Sequence, residues 1–295
     1  MTIKTTDFIE EMKNYSDEER MNFIYKDRFV LYPRAKDILK KMEELMNISD
    51  TIRPPSFLLV GPPNNGKTAL VTHFYKMHEP YEDPEGIKMP VIYLQAPHKP
   101  DVGMFYDSIL EKVDLAFRKS DSLSTKFIKI KHYLKELKVK LVIIDEIHNI
   151  LAGSKMKQRE FMNALKNLMN ELKRPFALVG TKDALIATET DYQISSRFPP
   201  QALLTWTYDK NYLSFLHAYE KTLPLKKQSN LVEQKNLTLK ILEYSEGYLG
   251  EIVAILKELA VLAIKTGKER IDYSLFKELN WIPPSKRREI HHMNL

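Results

Sequence analysis

Residues 56–70 read Ser-Phe-Leu-Leu-Val-Gly-Pro-Pro-Asn-Asn-Gly-Lys-Thr-Ala-Leu, an apolar run that leads into a glycine-bracketed loop and then a predicted helix. Within them, Gly61-x-x-x-x-Gly66-Lys67-Thr68 is the Walker A pattern of a phosphate-binding loop. The apolar run predicts a buried strand, which is the context that this pattern requires. The residues expected to surround the phosphates are Gly61, Pro62, Pro63, Asn64, Asn65, Gly66, Lys67, Thr68 and Ala69.

The residues of this loop have distinct physical roles. Gly61 and Gly66 allow the backbone to turn tightly, so that successive N–H groups point at an anion. The helix that begins near Lys67 directs the positive end of its dipole to the same place. We expect the Lys67 ammonium to reach the outer phosphates and the Thr68 hydroxyl to hold magnesium.

The composition indicates an ordinary globular protein. The chain has 295 residues, of which 43% are hydrophobic and 28% are charged, so it is long enough for a large core. It has no cysteine, which excludes disulfides, cysteine-ligated zinc and a catalytic thiol and is typical of a reducing compartment. Because there is neither a basic, apolar leader nor an uncharged apolar run of about 18 residues, we expect a cytoplasmic protein without a membrane span.

Charge is unevenly distributed along the chain, whose net charge is +6. Eight basic and two acidic residues lie between Arg118 and Lys140, whereas the first twenty residues carry six acidic and three basic residues. This asymmetry is typical of a basic face that binds a polyanion and an acidic segment that binds a basic partner. It is also compatible with two solvated helix faces.

Predicted strands alternate with helices in the middle of the chain, and helices alone follow. The run Leu141-Val142-Ile143-Ile144 lacks polar alternation, as a strand covered on both faces requires. This order predicts a parallel, doubly wound α/β sheet, with a polar loop at 78–88 and a last strand at 202–206. The expected segments are a helical N-terminal extension (1–50), an α/β nucleotide-binding core (51–208), a helical lid (209–280) and a flexible basic tail (281–295).

Asp145 and Glu146 supply two carboxylates at the end of that apolar strand. Asp145 is expected to complete a magnesium site opposite Thr68, and Glu146 to orient or deprotonate an attacking water. The alternative is an acidic strand end that caps a neighbouring helix. His148 extends the run to Asp-Glu-Ile-His, which is similar to a helicase box, but the chain is too short for two helicase core domains.

Two further polar residues are candidates for the same chemistry. Thr181 ends the next predicted strand, where its hydroxyl could face the γ-phosphate or could equally cap the following helix. Arg197 closes a short segment before the last predicted strand. An oligomeric ATPase can project an arginine from this place into the neighbouring subunit's site, and the alternative is a surface salt bridge.

Together these motifs resemble the AAA+ ATPases, and more closely the TniB/TnsC group of transposition regulators, which are related to the IstB helper ATPases. The resemblance covers roughly residues 25–280. Its residues are the Walker A loop, Asp145-Glu146, Val179-Gly180-Thr181, Ser196-Arg197-Phe198 and the lid sequence Ser245-Glu246-Gly247-Tyr248-Leu249-Gly250.

The resemblance implies an ATPase that uses ATP and magnesium, forms rings or helical filaments on double-stranded DNA and is released by hydrolysis. It also implies a DDE transposase as partner and, in some members including those of CRISPR-associated elements, a TniQ-type adaptor. Thr181 would be sensor 1 and Arg197 the arginine finger. The segments 95–100 and 122–126 would face DNA, with Lys99, Thr125 and Lys126 as contacts that do not read sequence.

One position departs from the family pattern. Where many AAA+ lids carry a sensor-2 arginine, this chain has Glu251, which cannot pair with the γ-phosphate. Two other functional hypotheses are open: an initiator-like AAA+ protein that remodels DNA or loads a helicase, and a P-loop signalling switch without a DNA role. The lack of repeats after the lid argues against the switch, and the few residues after Leu279 argue against a DNA-reading domain there.

Overall fold

The computed structural model describes residues 3–48, 51–189 and 192–290. These residues form two compact units. We call residues 37–203 the sheet unit, and residues 3–36 together with 204–290 the helical unit. This division differs from the expected segments, because the N-terminal helices share a unit with the C-terminal ones. In the described ranges, no helix is both long and apolar enough to cross a bilayer.

The elements follow one another along the chain as follows. The strands are β1 (Phe57–Val60), β2 (Tyr81–Asp83), β3 (Gly86–Lys88), β4 (Val91–Gln95), β5 (Leu141–Asp145), β6 (Phe176–Gly180) and β7 (Pro200–Ala202). The α-helices are α1 (Ile3–Met12), α2 (Asp17–Tyr25), α3 (Pro33–Met46), α4 (Lys67–Met77), α5 (Val102–Lys112), α6 (Leu123–Glu136), α7 (Lys155–Leu172), α8 (Asp183–Glu189), α9 (Tyr192–Ser195), α10 (Lys210–Glu220), α11 (Lys235–Ser245), α12 (Leu249–Lys265), α13 (Tyr273–Glu278) and α14 (Pro284–Ile290). Short 3-10 helices lie at Ile147–Ala152 and Leu231–Glu233.

Five parallel strands of the sheet unit lie in the order β4-β5-β6-β1-β7. Every residue of β1, β5 and β6 is buried, as strands covered on both faces require. The predicted parallel α/β fold is therefore confirmed. Val60 is in register with Gly180, and Gln95 with Asp145, so these strands end at one edge of the sheet. The loops that follow them consequently begin side by side.

Two local predictions in the sheet region were wrong. The last strand is β7 and not 202–206, because pairing with β1 extends only from Pro200 to Ala202. After it, Leu203 and Trp206 are buried outside the strand: Trp206 packs against Tyr32 within the helical unit, with ring centroids 5.0 Å apart. The expected loop at 78–88 contains the antiparallel hairpin β2–β3, whose turn includes Gly86 at a φ of 107°.

The helical unit contains a buried ion pair that joins distant parts of the sequence. α2 begins with a capping box, in which the Ser16 hydroxyl and the Glu19 carboxylate each accept the other residue's backbone N–H. On the next residue, the fully buried Arg20 guanidinium donates to both carboxylate oxygens of Glu269, at 2.8 and 2.7 Å. A buried charge requires such a partner, so this pair fixes α2 against the residues that precede α13.

The segment expected to be a flexible tail contains α14. Arg287 in this helix donates to both carboxylate oxygens of Glu251, at 3.1 and 2.7 Å, and its guanidinium lies 5.1 Å from the Trp281 ring centroid. The Ser285 N–H donates to the Glu246 carboxylate at 2.9 Å. These contacts join residues 284–287 to Glu246 and Glu251, and the sequence did not predict them. The reason is that Arg287 and Glu251 are 36 positions apart, beyond the reach of local sequence patterns.

Candidate active site

The loop between β1 and α4 leaves no room for a side chain at its first glycine. A Cβ on Gly61 would lie 2.5 Å from the Leu203 carbonyl oxygen. The same carbonyl accepts a hydrogen bond of 2.7 Å from the Asn65 side-chain amide. Gly66, which precedes α4, has a φ of 82°, a conformation that glycine adopts at little steric cost. The loop is thus shaped by its own backbone and by the residue that follows β7.

Lys67, the first residue of α4, folds back over this loop. Its ammonium donates to the carbonyl oxygens of Gly61 and Pro62 at 2.9 and 2.8 Å, and the residue is 5% exposed. Burial lowers the pKa of the Lys67 ammonium, while the Glu146 and Asp145 carboxylates act in the opposite direction. The chain therefore places a cation inside the loop, where phosphate oxygens can replace the two carbonyl acceptors.

Thr68 and Asp145 meet where α4 and β5 approach each other. The Thr68 hydroxyl donates to Asp145 Oδ2 at 2.7 Å, and Asp145 is fully buried. The Tyr93 hydroxyl from β4 donates to the same oxygen at 3.3 Å, and burial raises the pKa of that phenol. A hydroxyl and a carboxylate at this separation are the oxygen donors that magnesium prefers beside a phosphate. The residues present therefore fit the metal.

Glu146 and Thr181 lie on either side of the His148 imidazole. Glu146 Oε2 is 3.1 Å from His148 Nε2, and the Thr181 N–H donates to His148 Nδ1 at 3.4 Å. β6 ends at Gly180, so Thr181 is the first residue after the strand and not its last. The Thr181 hydroxyl is buried and has no hydrogen-bond partner in the part of the chain that the structure describes. A phosphate oxygen is a suitable partner for it.

A cavity of about 350 Å³ brings these groups together. It combines the donors of the loop and of the α4 N-terminus with a carboxylate, an imidazole and a hydroxyl. This combination suits the phosphates of a nucleotide with their metal ion. The lining residues are Pro63, Asn64, Asn65, Gly66, Lys67, Thr68, Glu146, His148 and Thr181.

Arg197 lies apart from this set. It follows α9, is partly buried, and donates from Nη1 to the Asn170 side chain of α7 at 2.9 Å. It is not among the residues that line the cavity of its own chain. An arginine finger acts on the site of a neighbouring subunit, so this location is compatible with the expected role.

The three expected DNA contacts differ in exposure. Lys99 and Thr125 are exposed, whereas Lys126 is 4% exposed and its ammonium lies 2.7 Å from the Asp107 carboxylate. Lys126 also donates to the Lys119 carbonyl at 3.0 Å. Its charge is thus used to join α6 to α5, and this arrangement argues against Lys126 as a phosphate contact. The sequence places Lys126 at the start of a basic helix, but it does not show that Asp107 of α5 is its partner.

Sequence reasoning missed one residue of the site, Tyr93, and discounted another, His148. Asn65 is among the predicted loop residues, although the contact of its side chain with Leu203 was not predicted. The signal for Tyr93 is its polar hydroxyl two residues before Gln95, which ends β4 and is in register with Asp145. His148 was set aside together with the helicase interpretation, although its place three residues after Asp145 brings it into the cavity.

Several solved structures share the fold of this chain. The ORC2 protein of Aeropyrum pernix, in ADPNP–ADP complexes, is similar with a TM-score of 0.62 and 15% identity, covering 87% of this chain and 70% of that one. Cdc6p of Pyrobaculum aerophilum is similar with a TM-score of 0.58 and 16% identity, covering 87% of this chain and 68% of that one. The ORC1 protein of A. pernix in complex with DNA is similar with a TM-score of 0.57 and 14% identity, covering 92% of this chain and 69% of that one. No curated protein matches this chain.

The strand order, the Walker A loop and the carboxylate pair, together with these likenesses, define an AAA+ ATPase. A family model described as bacterial TniB protein matches residues 20–208, which is more than half of the chain. The chain therefore belongs to the TniB family, and the resemblance found in its sequence is confirmed.

Proposed function

We propose that this TniB-family ATPase is an ATP-dependent regulator of DNA transposition that binds DNA without reading its sequence. In this proposal it oligomerises on double-stranded target DNA as a ring or helical filament, recruits a DDE transposase, with or without a TniQ-type adaptor, and is reset by hydrolysis. The observation that carries the proposal is the phosphate-sized cavity around Lys67, Thr68 and Glu146 in a chain of this family.

The residues of the cavity have separate roles in this proposal. Lys67 exchanges its two carbonyl acceptors for phosphate oxygens, and the loop N–H groups hold the remaining oxygens. Thr68 and Asp145 hold magnesium, which neutralises charge on the phosphates when it is bound. Glu146 orients the attacking water and Thr181 donates its hydroxyl to the γ-phosphate. Binding and hydrolysis thus depend on different side chains.

The proposed DNA face lies on the starts of α5 and α6. These helices pack together through Lys126 and Asp107, and a Cβ on Gly103 of α5 would lie 3.8 Å from Leu123 Cδ2 of α6. The segment that carries Lys99 leads into α5, and Thr125 is in the first turn of α6. A lysine, a hydroxyl and helix N–H groups contact phosphates without reading bases.

Two substitutions in the full-length chain test whether nucleotide binding and hydrolysis depend on different side chains. Glu146→Gln should bind ATP and remain assembled on DNA, because only the residue that orients the water is changed. Lys67→Ala should fail to assemble, because it lacks the phosphate contact. Electron microscopy and ATP turnover are measured for both. Discrete monomers of the wild type with ATP and DNA, or identical behaviour of the two variants, would contradict the proposal.

The DNA face is tested by charge reversal. Lys99→Glu should weaken ATP-dependent binding to DNA of any sequence and reduce its salt dependence by about one counterion. Lys76→Glu makes the same change in net charge at an exposed residue near the end of α4 and is the matched control. Binding is measured by fluorescence anisotropy over a salt series with two unrelated duplexes. Equal effects of the two reversals would show that only net charge matters.

An initiator-like activity is the second candidate, because one structural neighbour is an ORC1 protein solved in complex with DNA. It would make the protein a DNA remodeller or helicase loader. ATP-dependent strand opening, read as reactivity of unpaired thymines, would favour this candidate. Capture of a purified DDE transposase by the ATP-bound Glu146→Gln assembly, with intact base pairing, favours transposition.

A further inference from the structure

The His148 imidazole is hydrogen-bonded on both sides within the cavity. Its Nδ1 accepts the Thr181 N–H at 3.4 Å, and its Nε2 lies 3.1 Å from Glu146 Oε2. A backbone N–H can only donate, so Nδ1 is the acceptor in the first contact. The Nε2–H then donates a hydrogen bond to the Glu146 carboxylate. The two contacts thus determine one tautomer and one ring orientation.

The backbone on both sides is shaped around this ring. Glu146 has a φ of 56°, a left-handed conformation that is uncommon for a residue with a side chain, and its N–H donates to Asp145 Oδ1 at 2.8 Å. On the opposite side, a Cβ on Gly180 would lie 2.8 Å from Ala184 Cβ and 3.1 Å from His148 Nδ1. A side chain at Gly180 would therefore press against α8 and against the ring. Such local strain beside a cavity points to a functional constraint.

The Thr181 residue connects the imidazole to the ligand end of the cavity. Its N–H donates to His148, and the residue lines the same cavity, while its hydroxyl is buried without a partner among the residues that the structure describes. A phosphate oxygen that accepts from this hydroxyl acts on the same residue that donates to His148. The Thr181 hydroxyl is thus connected to Glu146 through the Thr181 backbone N–H and the His148 imidazole.

We propose that His148 is a positioning residue that couples Thr181 to Glu146, so that occupation of the Thr181 hydroxyl sets the orientation of the Glu146 carboxylate. The inference rests on the proposed roles of these two residues in ATP hydrolysis. A shift of the Thr181 backbone would move the ring through the Nδ1 contact, and the Nε2 contact would then reorient the Glu146 carboxylate. The Lys67 ammonium donates to loop carbonyls and the Thr68 hydroxyl to Asp145, so we expect His148 to affect turnover and to leave nucleotide binding intact.

Three substitutions separate the two contacts. His148→Ala removes both, His148→Gln can keep a donor near the Nε2 position, and His148→Asn can keep an acceptor near the Nδ1 position. For the alanine variant we expect kcat to fall about tenfold or more while KM for ATP changes by less than about twofold. Glutamine should restore part of kcat and asparagine should not, because only glutamine retains the contact with Glu146.

Coupling is measured by combining His148→Ala with Thr181→Val, which removes the threonine hydroxyl and keeps its shape. If the imidazole carries the effect of Thr181, the double variant should be no slower than the slower single variant. The reciprocal test uses His148→Gln as the background. Thr181→Val should lower kcat by a smaller factor in this background than in the wild type. Effects on log kcat that add would overturn the inference, as would a wild-type kcat in His148→Ala.

The controls distinguish this inference from the proposed function. Analogue binding and thermal unfolding are measured for every variant, so that loss of folding is recognised, and the glutamine variant provides a second reading if alanine does not fold. A wild type without ATPase activity, or a Glu146→Gln variant as active as the wild type, overturns both proposals. An active wild type, an inactive Glu146→Gln and an unaffected His148→Ala overturn only the role of His148.

Discussion

Gly61 shows how a single residue of the loop depends on a distant backbone atom. The Leu203 carbonyl, which follows β7, occupies the space where a side chain at residue 61 would lie. The phosphate loop is thus held both by its own sequence and by the end of the last strand. A change at this residue should consequently alter ligand binding more than it alters the core.

Gly61→Ala places a methyl group 2.5 Å from the Leu203 oxygen, so the loop or residue 203 must move. We expect affinity for an ATP analogue to fall about tenfold or more, because the loop N–H groups lose their alignment. Gly103→Ala is the control, since the nearest neighbour of its Cβ is a side-chain atom, the Asp101 Oδ1 that caps α5, at 3.2 Å. Calorimetric titration of both variants gives the comparison, and equal affinities would contradict the argument.

The site residues that belong to short sequence motifs were predictable. Lys67, Thr68, Asp145 and Glu146 belong to motifs whose strand and helix context is visible locally, and the structure brings them into one place. The burial of Lys126 was not predictable, because it depends on Asp107 of another helix. Nor was the pairing of Glu251 with Arg287, which the sequence shows only as a missing arginine.

At the scale of elements, α14 is attached through polar contacts to residues of α12 and of the turn before it. Arg287 pairs with Glu251, and the Glu246 carboxylate accepts the N–H of Ser285. Glu251 is 8% exposed, whereas Arg287 is more exposed. The strand prediction was wrong for a related reason: Leu203 and Trp206 are buried, but pairing with β1 ends at Ala202.

Arg287→Ala should release α14 from the helical unit. We expect faster hydrogen exchange in residues 284–290 and a loss of stability of about 1–2 kcal/mol, a value reduced for the exposure of the arginine. Lys286→Ala, at an exposed neighbour in the same helix, should change neither. Exchange is followed by mass spectrometry. Unchanged protection of 284–290 in the Arg287 variant would show that apolar contacts suffice to hold the helix.

At the scale of the whole molecule, the helical unit depends on one ion pair between α2 and the segment before α13. Glu269→Gln leaves the fully buried Arg20 with only the exposed Asp17 as a charged partner, and we expect a loss of about 3–5 kcal/mol in the free energy of unfolding. Asp17→Asn removes the other carboxylate beside Arg20, but Asp17 is exposed, so its loss should be no more than about 1 kcal/mol. Urea unfolding measures both, and similar losses would contradict the ranking.

The same pair predicts an acid-sensitive stability. The hydrogen bonds from Arg20 hold the pKa of the Glu269 carboxyl below its usual value. The resulting stabilisation is present above the unfolded glutamate pKa of about 4.3 and is lost as the pH falls through the lower folded value. Stability of the wild type should therefore decline more steeply below about pH 4 than that of Glu269→Gln. Parallel decline in both proteins would assign the acid sensitivity to other carboxyls.

An assembly that shares its active sites predicts complementation between inactive variants. Arg197→Ala should bind ATP without hydrolysing it, because the proposed arginine finger acts on a neighbouring subunit's site. Mixed in equal amounts with Glu146→Gln, which is expected to assemble, about a quarter of the interfaces would combine an intact Glu146 with an intact Arg197. ATP turnover of the mixture should therefore exceed that of either variant alone. No recovery, with mixed assemblies present, would place Arg197 outside the catalytic site.

The ion pair of the helical unit also bears on the order in which a newly made chain can fold. Arg20 and Glu269 are 249 positions apart, so at about 5–20 residues per second a ribosome adds Glu269 roughly 12 to 50 s after Arg20. The sheet unit is one contiguous segment and is complete at residue 203, whereas the helical unit needs residues from before and after it. During synthesis, the nucleotide cavity can thus form while α2 still lacks its partner, and the helical unit is the last to fold.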